Sequence, residues 1–231
     1  MNKVNMNKKS LMQYKAVVFD LDGTLYYQKP FRIRMATFLL THMIKHPASF
    51  RELLVIRFYR KLREDWETHE KSKTFPESMG LEQRQYKCVA EHFNMSADKI
   101  EQIIRFYMQE APLKLLLPYR DNKLAGMIKH LRENGVKIVV YSDYPVIDKL
   151  QALHIQADAC FTAADEQIAS MKPNPKGLQV IMKHTGFDAQ DMIMVGDRYE
   201  KDGMSAAANH MDYIILDTDK TKREALESTL L

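Results

Sequence analysis

The stretch AVVFDLDGTL, at residues 16–25, joins a short apolar run to two aspartates, Asp20 and Asp22. A short apolar run that ends at polar residues and a glycine is typical of a buried strand. Two carboxylates at the exit of such a strand are costly to bury unless a cation or a proton neutralises them. Gly23 allows a backbone conformation that other residues resist, and Thr24 offers a hydroxyl to an anion. The stretch therefore indicates chemistry at a strand end, although taken alone it also fits a turn capped by aspartates.

Further apolar runs follow along the chain and predict four more strands. They lie at residues 136–141, 159–162, 192–195 and 213–216. Helical patterns between and after them predict helices at 121–133, 145–153, 175–184 and 202–209. Thr221 with Glu224 resembles a capping box that opens a short terminal helix. Strands that alternate with helices indicate a parallel sheet, so the predicted fold class is α/β.

The segment from residue 26 to residue 118 breaks this alternation, because it shows helical periodicity and no convincing strand. Its predicted helices lie at 31–45, 50–65, 82–93 and 97–110. We therefore predict an α/β core domain at residues 1–25 and 119–231, with an all-helical domain inserted at 26–118.

Composition narrows the possible classes of protein. A chain of 231 residues that is 45% hydrophobic can bury one core and an insertion. It has neither a signal-peptide core nor an apolar stretch that crosses a bilayer, and Cys88 and Cys160 lack metal-ligand spacing. A net charge of +4 suits an anionic substrate but is too small to indicate nucleic acid. We expect a soluble cytoplasmic protein without nucleic-acid or membrane partners, and its oligomeric state stays open.

Three more polar residues stand where a ligand site of a parallel sheet is expected. Ligands of open parallel sheets bind beyond the carboxyl ends of the strands. Ser142 and Asp197 each follow a predicted strand, and Lys172 lies in the stretch SMKPNP. Each alone has an ordinary explanation as a turn residue, a helix cap or a surface charge. Their order along the chain favours one shared site with Asp20 and Asp22.

This order resembles the haloacid dehalogenase (HAD) superfamily. Its four motifs match Asp20-Leu21-Asp22-Gly23-Thr24, Ser142, Lys172 and Gly196-Asp197 through Asp202. The resemblance implies a Rossmann-like core with a helical cap of the C1 type, inserted between the first and second motifs. That is where the helical segment at residues 26–118 was placed by its periodicity.

The resemblance also implies roles for the two aspartates of the first motif. Asp20 is expected to attack phosphorus and to form an aspartyl phosphate, as carboxylates do in related chemistry. Asp22 is expected to protonate the leaving alcohol and then to deprotonate water. Mg²⁺ is expected on Asp20, on the backbone carbonyl of Asp22 and on Asp197, with Asp202 supporting these ligands. Both motif aspartates are therefore counted among the metal ligands.

Three other residues are expected to bind the phosphate group of the substrate. Ser142 is expected to donate a hydrogen bond to the phosphoryl oxygens, and Lys172 is expected to place a positive charge beside them. Thr24 is expected to help these two residues bind the phosphate group.

The leading hypothesis is a magnesium-dependent phosphatase that acts on a small-molecule phosphomonoester. Asp22 supports it, because the resembling dehalogenases and phosphonate-cleaving enzymes lack an acid at that position. Phosphoglycolate and sugar phosphates are family-level candidates for the substrate. A sugar phosphomutase of the same superfamily keeps both aspartates and remains an alternative. The second alternative is a catalytically quiet binding or regulatory protein.

Several residues outside the motifs have a less specific interpretation. Asp143, where relatives often place asparagine, is interpreted as the cap of the helix that opens near Pro145. The basic aromatic segment at residues 57–63 is interpreted as a solvated helix face. Substrate specificity is expected to reside in the helical insertion. Candidate contacts there, none favoured individually, are Arg32, Arg34, His42 and His46.

Overall fold

A six-stranded sheet lies at the centre of the computed structural model, which describes the backbone of residues 4–5 and all of 10–47, 49–69, 74–76 and 78–230, with the backbone of 48. Its strands are β1 (Val4–Asn5), β2 (Ala16–Phe19), β3 (Lys137–Ser142), β4 (Ala159–Thr162), β5 (Met192–Gly196) and β6 (Asp212–Ile215). Their order across the sheet is β1-β6-β5-β2-β3-β4. Strands β2 to β6 run parallel, and β1 pairs antiparallel with β6. The predicted α/β class is confirmed, and each predicted strand lies within one residue of its observed bounds.

The strand that carries the two aspartates occupies the middle of the sheet. β2 is buried along its whole length and pairs with β3 on one side and β5 on the other. Phe19, its last residue, stands opposite Val140 and Val195. The backbone N–H of Asp20 continues this pairing and donates to the carbonyl of Val195 at 2.8 Å. Parallel register therefore brings the ends of three strands to one edge of the sheet.

Helices cover both faces of the sheet. They are α6 (Asn122–Glu133), α7 (Ile147–Leu153), α8 (Lys176–Thr185), α9 (Met204–Ala208) and α10 (Lys220–Glu227), with a π-helical turn at Tyr199–Gly203 before α9. Val17 and Phe19 of β2 belong to one apolar cluster, and Ala16 and Val18 belong to the cluster on the other face. Because successive side chains of a strand point to opposite faces, both faces of β2 are apolar. This explains why the run at residues 16–19 is apolar throughout.

Between β2 and β3 the described residues form helices joined by turns and no strand of the sheet, as predicted for residues 26–118. Its helices are α1 (Gln28–Lys45), α2 (Phe50–Glu64), α3 (Leu81–Phe93), α4 (Ala97–Ile104) and α5 (Ala111–Leu116), with a π-helical stretch at Arg105–Glu110 before α5. We call residues 26–118 the helical segment. It has an apolar cluster of its own, which extends to Ala163 and Met171 of the α/β part. None of the described helices is long and apolar enough to span a membrane.

The predicted start of the terminal helix is wrong. The capping box of Thr221 and Glu224 does not form, because α10 already begins at Lys220. Asp219 is its N-cap, and its carboxylate accepts a hydrogen bond from the backbone N–H of Lys222 at 3.0 Å. Asp219, two residues before Thr221, supplies the cap in its place.

A buried charge cluster ties α10 to the segment that follows β2. The guanidinium of Arg223 lies 2.7 Å from Asp121 and 3.0 Å from Glu227, and all three side chains are buried. Its other nitrogens donate to the backbone carbonyls of Gly23, at 2.8 Å, and of Thr24. Burial, together with the negative charge of Asp121, raises the pKa of Glu227 to about 7. Asp121 and Glu227 therefore share the single positive charge of Arg223.

The raised pKa of Glu227 predicts a pH dependence of stability. An unfolded glutamate titrates at about 4.3. Between that pH and about 7, Glu227 therefore holds a proton in the folded protein that it has lost in the unfolded chain. The contribution of this group to the free energy of unfolding therefore falls as pH rises through this window. We expect Glu227→Gln to lose less stability than the wild type between pH values of about 5 and 8.

Urea denaturation of both proteins at the two pH values measures this difference. Glu133→Gln is the matched control, because that glutamate also lies on a helix but its side chain is 62% exposed. Parallel pH curves for the wild type and Glu227→Gln would contradict the assignment.

Candidate active site

Lys172 lies at the centre of the candidate site. Its ammonium is buried and donates to Asp20 Oδ1 at 2.6 Å and to Asp202 Oδ1 at 2.6 Å. Burial alone would lower the pKa of Lys172, but the two carboxylates raise it well above its usual range. The three residues come from the exit of β2, the stretch before α8 and the turn after β5. The structure thus holds a charged lysine between two acids.

Asp20 is held through both of its carboxylate oxygens. While Oδ1 accepts from Lys172, Oδ2 accepts from the hydroxyl of Thr24 at 2.9 Å. Burial raises the pKa of Asp20 to about 8 and outweighs the lowering effect of Lys172, while the charges of Asp202 and Asp197 raise it further. The acids around this lysine outnumber it, so the site favours an additional positive charge.

Three carboxylates of the site lie close enough together to share a cation. Asp20, Asp197 and Asp202 each offer an oxygen, and these oxygens lie within 4.8 Å of one another. Burial, with the charge of Asp202 next in effect, raises the pKa of Asp197 to about 6. Carboxylate oxygens are the ligands that hard divalent cations prefer, so this donor set fits Mg²⁺.

Two glycines leave the space that these carboxylates occupy. A Cβ atom on Gly23 would overlap the Asp197 carboxylate, and one on Gly196 would overlap that of Asp202. Gly23 also has φ of +105°, which side chains resist. The glycines of the first and fourth motifs therefore make the acidic cluster possible.

Asp22 lies in a different environment from Asp20. Lys149 donates to both of its carboxylate oxygens, at 2.6 and 2.8 Å, and the hydroxyl of Tyr26 donates to Oδ1 at 2.7 Å. Burial alone would raise the pKa of Asp22, but the ammonium of Lys149 and the two kinds of hydrogen bond hold it below its usual range. The backbone carbonyl of Asp22, expected as a metal ligand, accepts from Gln28 at 3.4 Å. The two aspartates of the first motif thus differ strongly in acidity.

Sequence reasoning missed Lys149, although one signal was present. Lys149 lies in the first turn of α7, the helix that follows β3. A cation is unfavourable near a helix N-terminus unless a carboxylate faces it. A lysine at this position, directly after a strand end that carries Ser142, therefore indicated an acid nearby.

The residues that follow β3 differ from their interpretation. Ser142 is buried, and its Oγ accepts from the backbone N–H of Tyr144 at 3.1 Å, which leaves the hydroxyl proton for an acceptor. Asp143 does not cap a helix, because the N-cap of α7 is Val146 and has no side-chain bond. Its carboxylate instead accepts from the backbone N–H of Lys172 at 3.0 Å. The helix-cap interpretation of Asp143 is wrong, and this residue positions the lysine.

Arg63 connects the helical segment to this site. It lies on α2, is buried and donates to the backbone carbonyl of Asp143. It also donates to Tyr59 at 2.9 Å and to Gln85 at 2.6 Å. The interpretation of residues 57–63 as a solvated face is therefore wrong on one side of the helix, where Tyr59 and Arg63 are enclosed. Their periodicity of four residues matches one face of a helix.

A cavity of about 320 Å³ brings these residues together between the sheet edge and the helical segment. The predicted residues that line it are Asp20, Asp22, Ser142, Lys172, Asp197 and Asp202. Thr24 is enclosed behind Asp20 and does not line the cavity. Arg32 lines it, whereas Arg34, His42 and His46 do not. The functional roles of all these residues remain predictions.

The crowding at Gly23 predicts a strong effect of a single methyl group. Gly23→Ala is expected to lower the free energy of unfolding by about 1–3 kcal/mol and to weaken the binding of a divalent cation, because the Cβ displaces Asp197. Gly126→Ala is the control, since nothing lies within 4 Å of its Cβ position on α6. That change is expected to be neutral or stabilising by up to about 1 kcal/mol.

Urea denaturation gives both stabilities, and thermal unfolding with and without MgCl₂ gives the effect on cation binding. Unchanged cation stabilisation in Gly23→Ala would contradict the role assigned to Asp197.

Comparisons with known proteins give one family and many similar structures. A family model described as a haloacid dehalogenase-like hydrolase matches residues 14–210. A search of curated proteins finds no match.

Three of the similar solved structures illustrate the range of proteins that share this fold. A 2-haloacid dehalogenase from Pseudomonas syringae pv. tomato has a TM-score of 0.59 at 19% identity, over 88% of this chain and 86% of its own. A predicted phosphoglycolate phosphatase from Haemophilus somnus has a TM-score of 0.53 at 17% identity, over 90% of this chain and 88% of its own. A HAD-hydrolase from Bacillus subtilis, bound to magnesium, has a TM-score of 0.57 at 12% identity, over 88% of this chain and 89% of its own. At these identities the similarity concerns the fold.

Proposed function

We propose that this chain, which belongs to the haloacid dehalogenase-like hydrolase family, is a phosphatase that hydrolyses a small-molecule phosphomonoester with Mg²⁺ as its cofactor. One observation carries the proposal. Asp20 and Asp22 line the same cavity, but Asp20 lies beside Lys172 and two other acids whose oxygens fit a divalent cation, whereas Asp22 lies beside Lys149 and Tyr26. Two carboxylates in such different surroundings can take different roles in one reaction.

In the first step, a carboxylate oxygen of Asp20 forms a bond to phosphorus while the bond from phosphorus to the leaving alcohol breaks. Asp22 gives its proton to the alcohol oxygen as that bond breaks. In the second step, Asp22 takes a proton from water, and the water oxygen bonds to phosphorus. The bond between phosphorus and Asp20 then breaks, which releases inorganic phosphate and restores the Asp20 carboxylate and the protonated Asp22.

The acidic cluster supports a metal cofactor for this chemistry. Asp20, Asp197 and Asp202 would hold Mg²⁺, and the backbone carbonyl of Asp22 is proposed as a further ligand by resemblance. When bound, the cation supplies positive charge beside the phosphoryl oxygens. The magnesium recorded in the Bacillus subtilis hydrolase supports this choice of metal.

The remaining predicted residues act on the nucleophile or on the phosphate. Lys172 keeps one oxygen of Asp20 in place and adds positive charge to the cavity. Ser142 donates its free hydroxyl proton to a phosphoryl oxygen. Thr24, proposed from the sequence as a phosphate ligand, acts here by holding the other oxygen of Asp20. Preorganised donors of this kind stabilise charge without reorganising during the reaction.

Lys149 has to leave Asp22 before that residue can act as an acid. Its ammonium favours the charged carboxylate, which carries no proton to donate. Lys149 lines the same cavity, so the phosphoryl group of an entering substrate offers it another anion. We therefore include Lys149 among the residues that respond to the substrate.

We also propose the domain division predicted from the sequence, with a core at residues 1–25 and 119–231 and a cap at 26–118. The separate apolar cluster of the helical segment supports it. The chain crosses between the two parts where Tyr26 and Arg120 form an isolated bridge.

The proposed role of Asp20 as nucleophile predicts the effect of replacing it with the isosteric asparagine. Asp20→Asn is expected to lower kcat for para-nitrophenyl phosphate at least about 1,000-fold, because an amide oxygen does not replace the attacking carboxylate. Removal of Mg²⁺ with a chelator is expected to lower the wild-type rate to a similar extent. Asp148→Asn is the control, since Asp148 is an exposed aspartate on α7.

Release of inorganic phosphate should be measured alongside nitrophenolate. Equal amounts support hydrolysis, whereas little phosphate with a second phosphorylated alcohol supports a phosphomutase. Wild-type turnover in Asp20→Asn contradicts the role of Asp20, and no turnover in any protein favours the quiet binding protein.

The proposed role of Asp22 predicts a different kinetic result. Nitrophenolate leaves without a proton donor, so the first step survives in Asp22→Asn, while the second step loses the base that activates water. We expect a rapid release of about one nitrophenolate per enzyme molecule followed by turnover slowed about 100-fold or more. Stopped-flow absorbance measures both phases, and a steady rate without a burst would contradict this order of events.

A further inference from the structure

We propose that the alcohol half of the substrate is apolar, an alkyl or aryl group and neither a sugar nor a small hydroxy acid. This inference rests on the proposed function, because it concerns the leaving group of the same phosphomonoester. It differs from the family-level candidates considered from the sequence, which were phosphoglycolate and sugar phosphates.

The two halves of the cavity have different chemistry. The α/β part supplies the acidic cluster and both lysines, and the helical segment supplies an apolar wall together with Arg32, Arg60 and Glu64. Members of this wall are Phe31, Met35, Leu39, Ile56, Met108 and Leu116. A leaving group bound to phosphorus at Asp20 extends away from the acids and toward this wall. An apolar group would be buried there and would gain about four-fold in affinity for each methylene removed from water.

Polar groups on the same side of the cavity already have partners. The hydroxyl of Tyr107 donates to Glu52 at 2.9 Å, and the hydroxyl of Tyr26 donates to Asp22 at 2.7 Å. Glu64 is paired with Arg198 at 3.2 Å. Gln28 also lines the cavity; its amide nitrogen donates to the carbonyl of Asp22 at 3.4 Å, and its amide oxygen is one acceptor on this side. A sugar with several hydroxyls would therefore leave most of them without an acceptor, which lowers affinity about ten-fold for each such group.

Two arginines of the helical segment also line the cavity. Arg32 and Arg60 are exposed, and among the described residues neither has a carboxylate within salt-bridge distance. Because both side chains are exposed, their charges are accessible to solvent and can attract a phosphate dianion as it enters. Guanidinium groups donate hydrogen bonds and accept none, so they do not satisfy the hydroxyl protons of a sugar.

A series of alkyl phosphates tests the proposal on the wild-type enzyme. We expect kcat/KM to rise about ten-fold or more from ethyl to butyl phosphate and again toward hexyl phosphate, until the cavity is filled. Phosphoglycolate and a hexose phosphate are expected to lie at least ten-fold below butyl phosphate. A flat alkyl series, or a higher value for either polar substrate, would overturn the proposal.

Adjacent leucines on α1 provide a matched pair of variants. Leu39 lines the cavity, whereas Leu40 is 59% exposed on the outer surface. Leu39→Asn is expected to lower the ratio of kcat/KM for hexyl over ethyl phosphate about ten-fold, and Leu40→Asn is expected to leave that ratio unchanged. Met35→Asn is a second variant of the wall, and circular dichroism checks that each protein is folded. Equal ratios in all variants would overturn the role of the wall.

The same panel separates this inference from the proposed function. Hydrolysis of para-nitrophenyl phosphate that depends on Asp20, together with a flat alkyl series, rejects the apolar leaving group and retains the phosphatase. Failure to hydrolyse any member of the panel rejects both.

Discussion

The candidate site depends on one interaction, the buried ammonium of Lys172 between the carboxylates of Asp20 and Asp202. Buried charges are stable only when they are paired and hydrogen-bonded, and each member of this set has a partner. The pairing also constrains the chain, since it joins the exit of β2, the stretch before α8 and the turn after β5. With Asp197 beside them, the acids exceed the lysine in charge, and this excess suits a divalent cation.

Much of the fold and part of the site could be predicted from the sequence because both depend on local patterns. Strand β2 is apolar on both faces, and the motif residues follow strand ends that parallel register aligns. Contacts made by residues outside the motifs could not be predicted in this way. Lys149 meets Asp22 across 127 positions, and Arg63 meets Asp143 across 80. Periodicity places Arg63 on a helix, but it does not tell which side of that helix another part of the chain will cover.

The cavity divides its chemistry between two kinds of structure. The charged groups of the motifs stand on the sheet edge, where hydrogen bonds and burial fix their positions. Apolar groups come from the helical segment, whose cluster reaches Met171 next to the central lysine. Arg63 joins the two parts at Asp143, the residue that also orients the backbone of Lys172. Two consecutive hydrogen bonds therefore connect the helical segment to the backbone of the lysine.

The arginine on α10 has a consequence for how this protein matures during synthesis. Arg223 supports the carbonyls of Gly23 and Thr24, which lie 200 and 199 positions earlier in the chain. A ribosome has therefore added almost the whole α/β part before the loop beside Asp20 receives this support. The nascent chain can form its early strands and helices first, but the carbonyls of Gly23 and Thr24 receive the hydrogen bonds of Arg223 only after α10 has emerged and packed.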